Sequence, residues 1–170
     1  HHAYRAELWE KAVVYSKEAA ARAVSRSGFR NAVFCFEQAL EAVRHLPQTP
    51  DTLKHAVDFR FEIRNALFML GDFEQGLNHL EEAKAPAVAL NDRTRLGMLF
   101  NFMTAHAQIQ GNSEQAINYA NQALNHTKAA EHLDLHIVAH YFLGVAYHNV
   151  GQYDQAIGVL ERALSLIGNR

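Results

Sequence analysis

An internal repeat with a period of forty residues constrains this chain more than any other feature. Gly71, Gly111 and Gly151 are spaced by forty, and the residues around them keep the same register. An earlier copy lies forty-four residues before the second, and its four extra residues coincide with the segment 47–50. Self-similarity at a fixed period of this length is the sequence signature of stacked structural units.

Each unit reads as two helices. Apolar or small residues recur three and four positions apart, as they do from Phe29 to Val43, which is typical of an amphipathic helix. The glycines fall at the junctions, where a left-handed cap ends a helix, and Asn91 is expected near a helix start. Residues 1–6 are expected to be the tail of a separate helix. The predicted helices span 8–26, 28–45, 51–70, 72–89, 92–110, 112–129, 132–150 and 152–167.

The repeat predicts an all-α fold. A two-helix hairpin shows apolar residues on more than one face, so it must stack against its neighbours to cover them. We therefore expect a right-handed superhelical solenoid of antiparallel helix pairs with a concave groove, in a single domain covering residues 1–170. The predicted units are 8–45, 51–89, 92–129 and 132–167. Because the chain begins in mid-pattern, we expect it to be a fragment of a larger protein.

Composition excludes several classes of function. The chain has 16 basic and 18 acidic residues and a formal net charge of −2, which argues against a nucleic-acid binder driven by charge. The lone Cys35 requires no oxidising compartment, and no apolar run is long enough to span a bilayer. We expect a cytoplasmic protein with no membrane contact and no cofactor.

The last unit carries the most specific motif. The segment Phe142–Tyr147, with Leu143 and Gly144, precedes Gly151, Tyr153 and Ala156 at fixed offsets. This arrangement resembles a tetratricopeptide repeat. The two preceding units depart from the family pattern, because Thr104 and Arg64 stand where a small residue is usual. The resemblance implies a helical scaffold that binds proteins or peptides.

A narrower resemblance rests on residues 58–67, 70–73 and 77–83, together with the opening segment around Trp9 and Phe36. These segments look like the C-terminal repeat region of bacterial signalling proteins that join a class III adenylate or guanylate cyclase domain to a regulatory ATPase module. That resemblance implies a regulatory segment whose catalytic domains lie elsewhere.

The sequence offers no catalytic constellation. It contains no phosphate-cradling Gly-rich loop, no nucleophile elbow and no His-Glu-x-x-His motif. Cys35, between two phenylalanines, is expected to be a buried or half-buried filler. The predicted function is therefore a noncatalytic scaffold that binds a protein, a peptide or another domain of its own full-length chain.

Three histidines suggest an alternative function. His132, His136 and His140 lie four residues apart on one predicted helix, so their rings share one stripe. Such a stripe is the basis for a metal- or pH-responsive sensor module. However, ligands on one straight helix point along a line, whereas tetrahedral ligation needs ligands that converge. We expect packing or surface histidines and no metal site.

Arg60 and Arg64 are a second unusual feature, one turn apart on a helix stripe that should meet its partner helix. A buried guanidinium needs a carboxylate partner, and the candidates are Glu37, Glu41, Glu81 and Glu82. The alternative is a site for an anion or a phosphopeptide, because the planar guanidinium pairs well with phosphate.

The predicted binding groove is lined by first-helix residues between the packing positions. They are Asp58, Phe61, Glu62, Asn65, Phe68, Met98, Asn101, Phe102, Ala105, Tyr141, Val145 and His148. Such an aromatic and amide-rich surface favours an amphipathic helix or an extended peptide as the partner. The alternative is that the rings are buried between units.

Some tetratricopeptide-repeat relatives grip a C-terminal carboxylate with a clamp of lysines and asparagines. Lys17 can begin such a clamp, but Ala21 and Glu62 stand where its asparagines are needed. This departure argues against binding of that class of partner.

Overall fold

Eight α-helices contain most of the residues described in the computed structural model, which covers residues 2–128 and 131–168, with side chains from residue 7 onward. No strand occurs within these ranges, so the predicted all-α class is confirmed. The helices are α1 His2–Ser25, α2 Phe29–Arg44, α3 Pro50–Leu70, α4 Phe73–Leu90, α5 Arg93–Ile109, α6 Ser113–His126, α7 Leu133–Asn149 and α8 Tyr153–Gly168.

Two of the predicted bounds differ from these by more than one residue. Residues 2–6 are not the tail of a separate helix, because α1 runs without a break from His2 to Ser25. The helix α6 ends at His126, where Thr127 adopts an extended conformation, and the predicted end at residue 129 lies outside the described residues.

The junction glycines end helices as the sequence indicates. Gly71, Gly111 and Gly151 have φ of 76°, 72° and 77°, a left-handed conformation that side chains with a Cβ rarely adopt. Asn91 also has positive φ, at 49°, so it follows the end of α4 and does not start the next helix. The N-cap of α5 is Asp92, whose carboxylate accepts a hydrogen bond from the Arg95 amide at 3.0 Å.

The chain forms two compact units, His1–Leu90 and Asn91–Arg170. In the first unit α1 packs on α2, α2 on α3 and α3 on α4. Its core is built from side chains of α1, α2 and α3, among them Val13, Phe36, Leu40, Phe59 and Ile63. That the chain forms a single domain stays a prediction.

In the second unit each helix packs on the next, and α7 also contacts α5. Leu99, Met103 and Ala139 are fully buried there. Thr104, which replaces a small residue of the repeat pattern, is also buried, and its hydroxyl donates to the Phe100 carbonyl at 2.7 Å. Within the described ranges, no helix has the length and hydropathy needed to cross a bilayer.

Candidate functional site

A cavity of about 550 Å³ lies in the first unit between α1 and α3, above α2. We call it the α1–α3 cavity. Its floor is apolar, because the buried rings of Phe36 and Phe59 lie there with their centroids 5.9 Å apart. His55 stacks on Phe59 at 5.5 Å and forms part of one wall. The lining is Lys17, Ala21, Val24, Ser25, Phe36, His55, Asp58, Phe59 and Glu62.

The rim of the α1–α3 cavity is charged. Lys17 projects from α1, and Asp58 and Glu62 project one turn apart from α3. Lys17 and Glu62 are exposed, whereas Asp58 is half-buried. An apolar floor beside carboxylates can accept an apolar side chain together with a neighbouring cation. The site therefore suits a short segment of protein better than a small anionic molecule.

Of the groove residues predicted on α3, the structure brings Asp58 and Glu62 to the α1–α3 cavity. Phe61 was expected on the open surface, and that expectation is wrong. Its side chain is only 3% exposed, because the aromatic ring lies in the protein interior. Phe68 is partly exposed and packs edge-on against Phe73 at 5.3 Å, while Asn65 is half-buried and accepts a hydrogen bond from Arg64.

Of the predicted groove residues on α5, Asn101 is not on the open surface either. Asn101 is buried, and its Nδ2 donates to the Leu135 carbonyl of α7 at 3.0 Å. One helical face of α5 therefore packs against the next first helix, which corrects the assignment of Asn101 to a groove. Met98, Phe102 and Ala105 are half-buried.

On α7 the corresponding positions are more open. Tyr141 is 54% exposed, and His148 is exposed and packs edge-on against Tyr153 at 5.5 Å. Val145, between them, is half-buried. Tyr141 and His148 remain accessible to a partner in the second unit, and their role in binding stays a prediction.

Sequence reasoning missed Val24, Ser25, His55, Phe36 and Phe59 as lining residues. The forty-four-residue offset between the first two units aligns Val24 with Phe68, a predicted groove residue, so the sequence could have indicated Val24. Lys17 and Ala21 were considered only as parts of a carboxylate clamp.

Arg60 forms an ion pair within the first unit. Its Nη2 lies 3.0 Å from Oε2 of Glu82 on α4, and its Nη1 donates to the Ala56 carbonyl at 3.1 Å. Burial lowers the pKa of Arg60, and the Glu82 carboxylate opposes that shift. Glu82 is one of the four acidic candidates, and because it is more than half exposed, water screens the pair.

Arg64 is buried in a different environment. Its Nη1 donates to Oδ1 of Asn65 at 3.2 Å, and its guanidinium carbon lies 4.7 Å from the centroid of the Phe68 ring. Burial lowers the pKa of Arg64 to about 10. An anion site at this residue stays a prediction.

The three histidines do not form one site. His132 occupies the N-cap position of α7 without a capping hydrogen bond from its side chain, while the rings of His136 and His140 meet edge-on with their centroids 4.8 Å apart. His136 shares a hydrogen bond with the Thr127 hydroxyl at 3.0 Å. Among the described residues, no three His, Cys, Asp or Glu side chains come together as a metal site. The metal-sensor alternative is therefore not favoured.

His140 predicts how stability depends on pH. Its pKa is lowered, mainly by burial and then by the nearby charges of His136 and Arg162, so the folded protein holds it neutral. The unfolded chain binds that proton near the ordinary pKa of about 6.5. Because the unfolded chain takes up this proton at a higher pH than the folded protein, acidification favours unfolding. The contribution of neutral His140 to the free energy of unfolding is therefore complete above about pH 6.5, and it is lost as the pH falls through the lower pKa of the folded state. We expect the melting temperature to fall on acidification, and less so in His140→Gln.

Thermal unfolding followed by circular dichroism at several pH values provides this measurement. His148→Gln is the matched control, because His148 is exposed on the same helix and its replacement should keep the full pH response. Equal slopes of melting temperature against pH in the wild type and His140→Gln would contradict the assignment.

Comparisons with known proteins agree with the repeat architecture. Residues 139–170 match the family model of the tetratricopeptide repeat. The comparison with curated protein sequences gives no match. The family match supports a tetratricopeptide repeat at this end of the chain, as the motif around Gly144 and Gly151 indicates.

Three solved structures share the fold. A crystal structure of MamA protein aligns over 92% of this chain and 92% of its own, with a TM-score of 0.52 and 16% identity. A second MamA structure covers 88% of this chain and 95% of its own, with a TM-score of 0.54 and 17% identity. A crystal structure of BtubC (BKLC) from P. vanneervenii covers 99% of this chain and 92% of its own, with a TM-score of 0.58 and 14% identity.

These neighbours are tetratricopeptide-type proteins, and at such identities the likeness shows the fold alone. Tetratricopeptide repeats generally mediate binding to proteins or peptides. A protein-interaction scaffold is therefore the class of function that the repeat supports.

Proposed function

We propose that this chain is a noncatalytic interaction module whose α1–α3 cavity binds a segment of another protein or of another domain of a longer chain. The observation that carries the proposal is the cavity itself, with an apolar floor of Phe36 and Phe59 and a charged rim. Both walls are regular helices of one compact unit. Binding therefore does not require the receptor to become ordered, which lowers its entropic cost.

The chemistry of the cavity defines the ligand. An apolar or aromatic side chain of the ligand packs over the floor, because large apolar contacts supply most of the energy of such interfaces. A lysine or arginine beside that side chain meets Asp58 and Glu62. The ligand is thus an amphipathic helix or an extended segment that combines an apolar anchor with a basic neighbour.

The same rim argues against a ligand that presents a terminal carboxylate. Lys17 is the one lysine or arginine of the lining, and the Ala21 side chain offers no hydrogen bond to an anion. Glu62 faces the same cavity and repels a carboxylate. A basic segment is therefore preferred over an acidic tail.

The cellular setting that fits such a module is regulatory. In a cytoplasmic signalling protein, a helical scaffold without chemistry of its own controls catalytic domains by holding one of their segments. The lone Cys35, half-buried on α2, is compatible with a reducing compartment.

Filling the α1–α3 cavity should weaken binding. Peptides selected from a random display library on the wild-type chain serve as probes, and their affinities are measured by fluorescence polarisation. In Ala21→Trp a bulky ring projects from the exposed face of α1 into the cavity, so the probes should bind at least about tenfold more weakly, a loss of about 1.4 kcal/mol. Glu62→Lys should weaken the binding of basic peptides and strengthen the binding of acidic ones.

The matched control is Ala85→Trp, which places the same ring at an exposed position of α4 that does not line the cavity. Its affinity for the probes should equal that of the wild type. Selected peptides that bind wild type and Ala21→Trp equally would show that the ligand binds elsewhere.

A further inference from the structure

The cleft between the first helices of neighbouring pairs is bridged in the second unit. Asn101 of α5 donates a hydrogen bond to the Leu135 carbonyl of α7 at 3.0 Å, and Gln108 donates to the Phe142 carbonyl at 2.8 Å. These two amide side chains join α5 to α7 about two turns apart. The same cleft in the first unit is the α1–α3 cavity, which is open.

The repeat explains why the first cleft is open. Offsets of forty-four and then forty residues align Lys17 with Asn101 and Val24 with Gln108. The Val24 side chain has no hydrogen-bond donor, and Lys17 is exposed at the rim. Neither position therefore carries the amide that joins the helices in the second unit. The cavity results from these side chains within the repeat.

The α3 wall of the cavity carries two carboxylates that the repeat does not require. Asp58 and Glu62 lie one turn apart, and both line the cavity. The aligned residues of α7 are Val138 and Phe142, which have no charge. Like charges one turn apart on a helix repel each other and destabilise it. A cation bound between the two carboxylates removes that repulsion.

Apolar and planar surfaces lie beside these carboxylates. The rings of Phe36 and Phe59 form the floor, and the His55 ring stacks on Phe59 with only 7° between the two planes. An arginine side chain matches this combination. Its methylene stem packs on apolar surface while its charged end stays at a polar edge, and its planar guanidinium stacks on flat rings.

On the basis of the proposed function, we propose that one arginine side chain of the bound segment is its anchor in the α1–α3 cavity. The methylene stem of this arginine lies over Phe36 and Phe59. Its guanidinium donates hydrogen bonds to the carboxylates of Asp58 and Glu62. Lys17 places a positive charge on the opposite wall, so the guanidinium binds on the α3 side of the cavity.

Arginine suits this site better than lysine does. The guanidinium presents five donors in a rigid plane, so it can donate to two carboxylates at once. The lysine ammonium is a compact and strongly hydrated charge, which loses more of its hydration when it enters the cavity. Binding should therefore discriminate between two side chains of equal charge, which a general attraction to basic segments does not do.

Replacement of the arginine in bound peptides tests this proposal. Peptides are selected from a random display library on the wild-type chain, and those that lose affinity in Ala21→Trp are retained as cavity-bound probes. Fluorescence polarisation compares each probe with versions that carry lysine, or the neutral and similarly shaped citrulline, in place of one arginine. We expect citrulline to weaken binding at least about tenfold and lysine at least about threefold.

Glu62→Gln tests where the guanidinium binds. In this variant the citrulline replacement should weaken binding at most about threefold, because one of the two carboxylates is already neutral. Glu74→Gln is the matched control, since Glu74 is an exposed glutamate of α4 that does not line the cavity. There the loss should stay as large as in the wild type. Circular dichroism verifies that both variants fold.

The outcomes separate this anchor from the proposed function. Retained probes that lack arginine, or that bind equally well with lysine in its place, would overturn the arginine anchor and leave the proposed function standing. An equal loss on citrulline replacement in the wild type and in Glu62→Gln would overturn the placement of the guanidinium on α3. If no selected peptide lost affinity in Ala21→Trp, the proposed function would fail, and the arginine anchor would fail with it.

Discussion

Phe61→Ala is expected to lower the free energy of unfolding by about 3–5 kcal/mol, the range for truncating a buried aromatic side chain. The Phe61 ring is almost wholly enclosed, so its removal leaves a cavity that the surrounding helices fill only in part. Denaturant unfolding followed by circular dichroism measures the loss. For a chain of this size, each 1 kcal/mol corresponds to about 2–4 °C in melting temperature.

Tyr141→Ala is the matched comparison, because Tyr141 is an aromatic residue at a related position of a first helix and is half exposed. Its truncation should change stability by about 0.5 kcal/mol or less, as expected for an exposed site. If Phe61→Ala were as stable as the wild type, the Phe61 ring would have to lie on the open surface, which would contradict the burial described above.

Gly144→Leu is expected to destabilise the second unit by about 1–3 kcal/mol or more, through overpacking between α7 and α8. A Cβ atom added at Gly144 lies 2.5 Å from Cγ and 2.6 Å from Cδ2 of Leu160. Carbon atoms do not approach so closely, so the helices must separate or Leu160 must leave its place. Thermal unfolding of the variant and of the wild type gives the difference.

Gly158→Leu is the control for Gly144→Leu. Gly158 lies inside α8, and a Cβ atom there meets no heavy atom within 4 Å. The added Cβ therefore meets no obstacle there, and the substitution gains the helix propensity that glycine lacks, up to about 1 kcal/mol. If the two substitutions shifted the melting temperature equally, close packing at Gly144 would not be the cause.

The helices could be predicted from the sequence because two local signals coincide. Apolar residues at intervals of three and four mark each helix, and the left-handed glycines at 71, 111 and 151 end three of them. Asn91 was misplaced because asparagine both caps helix starts and tolerates a left-handed conformation. The adjacent Asp92 is the N-cap of α5. Residue type alone does not show whether Asn91 or Asp92 occupies that position.

The candidate site could be predicted only in part, because a helical period gives the angle of a side chain but not what lies opposite it. Asp58 and Glu62 line the α1–α3 cavity, whereas Asn101 at a related angle packs against α7. The difference is set by the neighbouring first helix. In the second unit α5 and α7 touch, so an amide that faces outward in one repeat bonds to a backbone carbonyl of the next.

For Arg60, the sequence could limit the possible carboxylate partners to four glutamates but could not identify which one forms the ion pair. A basic residue on a packing stripe requires a carboxylate, and four candidates lay within reach by repeat logic. The structure places Glu82 of α4 beside it, because α3 and α4 pack as one pair. The distance between the two side chains depends on how the helices pack, which periodicity does not determine.

The most direct measurement of the binding account is an NMR titration of the isotope-labelled chain with a library-selected peptide. The account predicts amide shifts that saturate and cluster at the α1–α3 cavity, around Ala21, Val24, His55, Asp58 and Glu62. In Ala21→Trp the shifts at Val24, His55, Asp58 and Glu62 should require at least about tenfold more peptide. Saturating shifts that leave these residues unperturbed, or that appear at them at the same peptide concentrations in Ala21→Trp, would contradict the account.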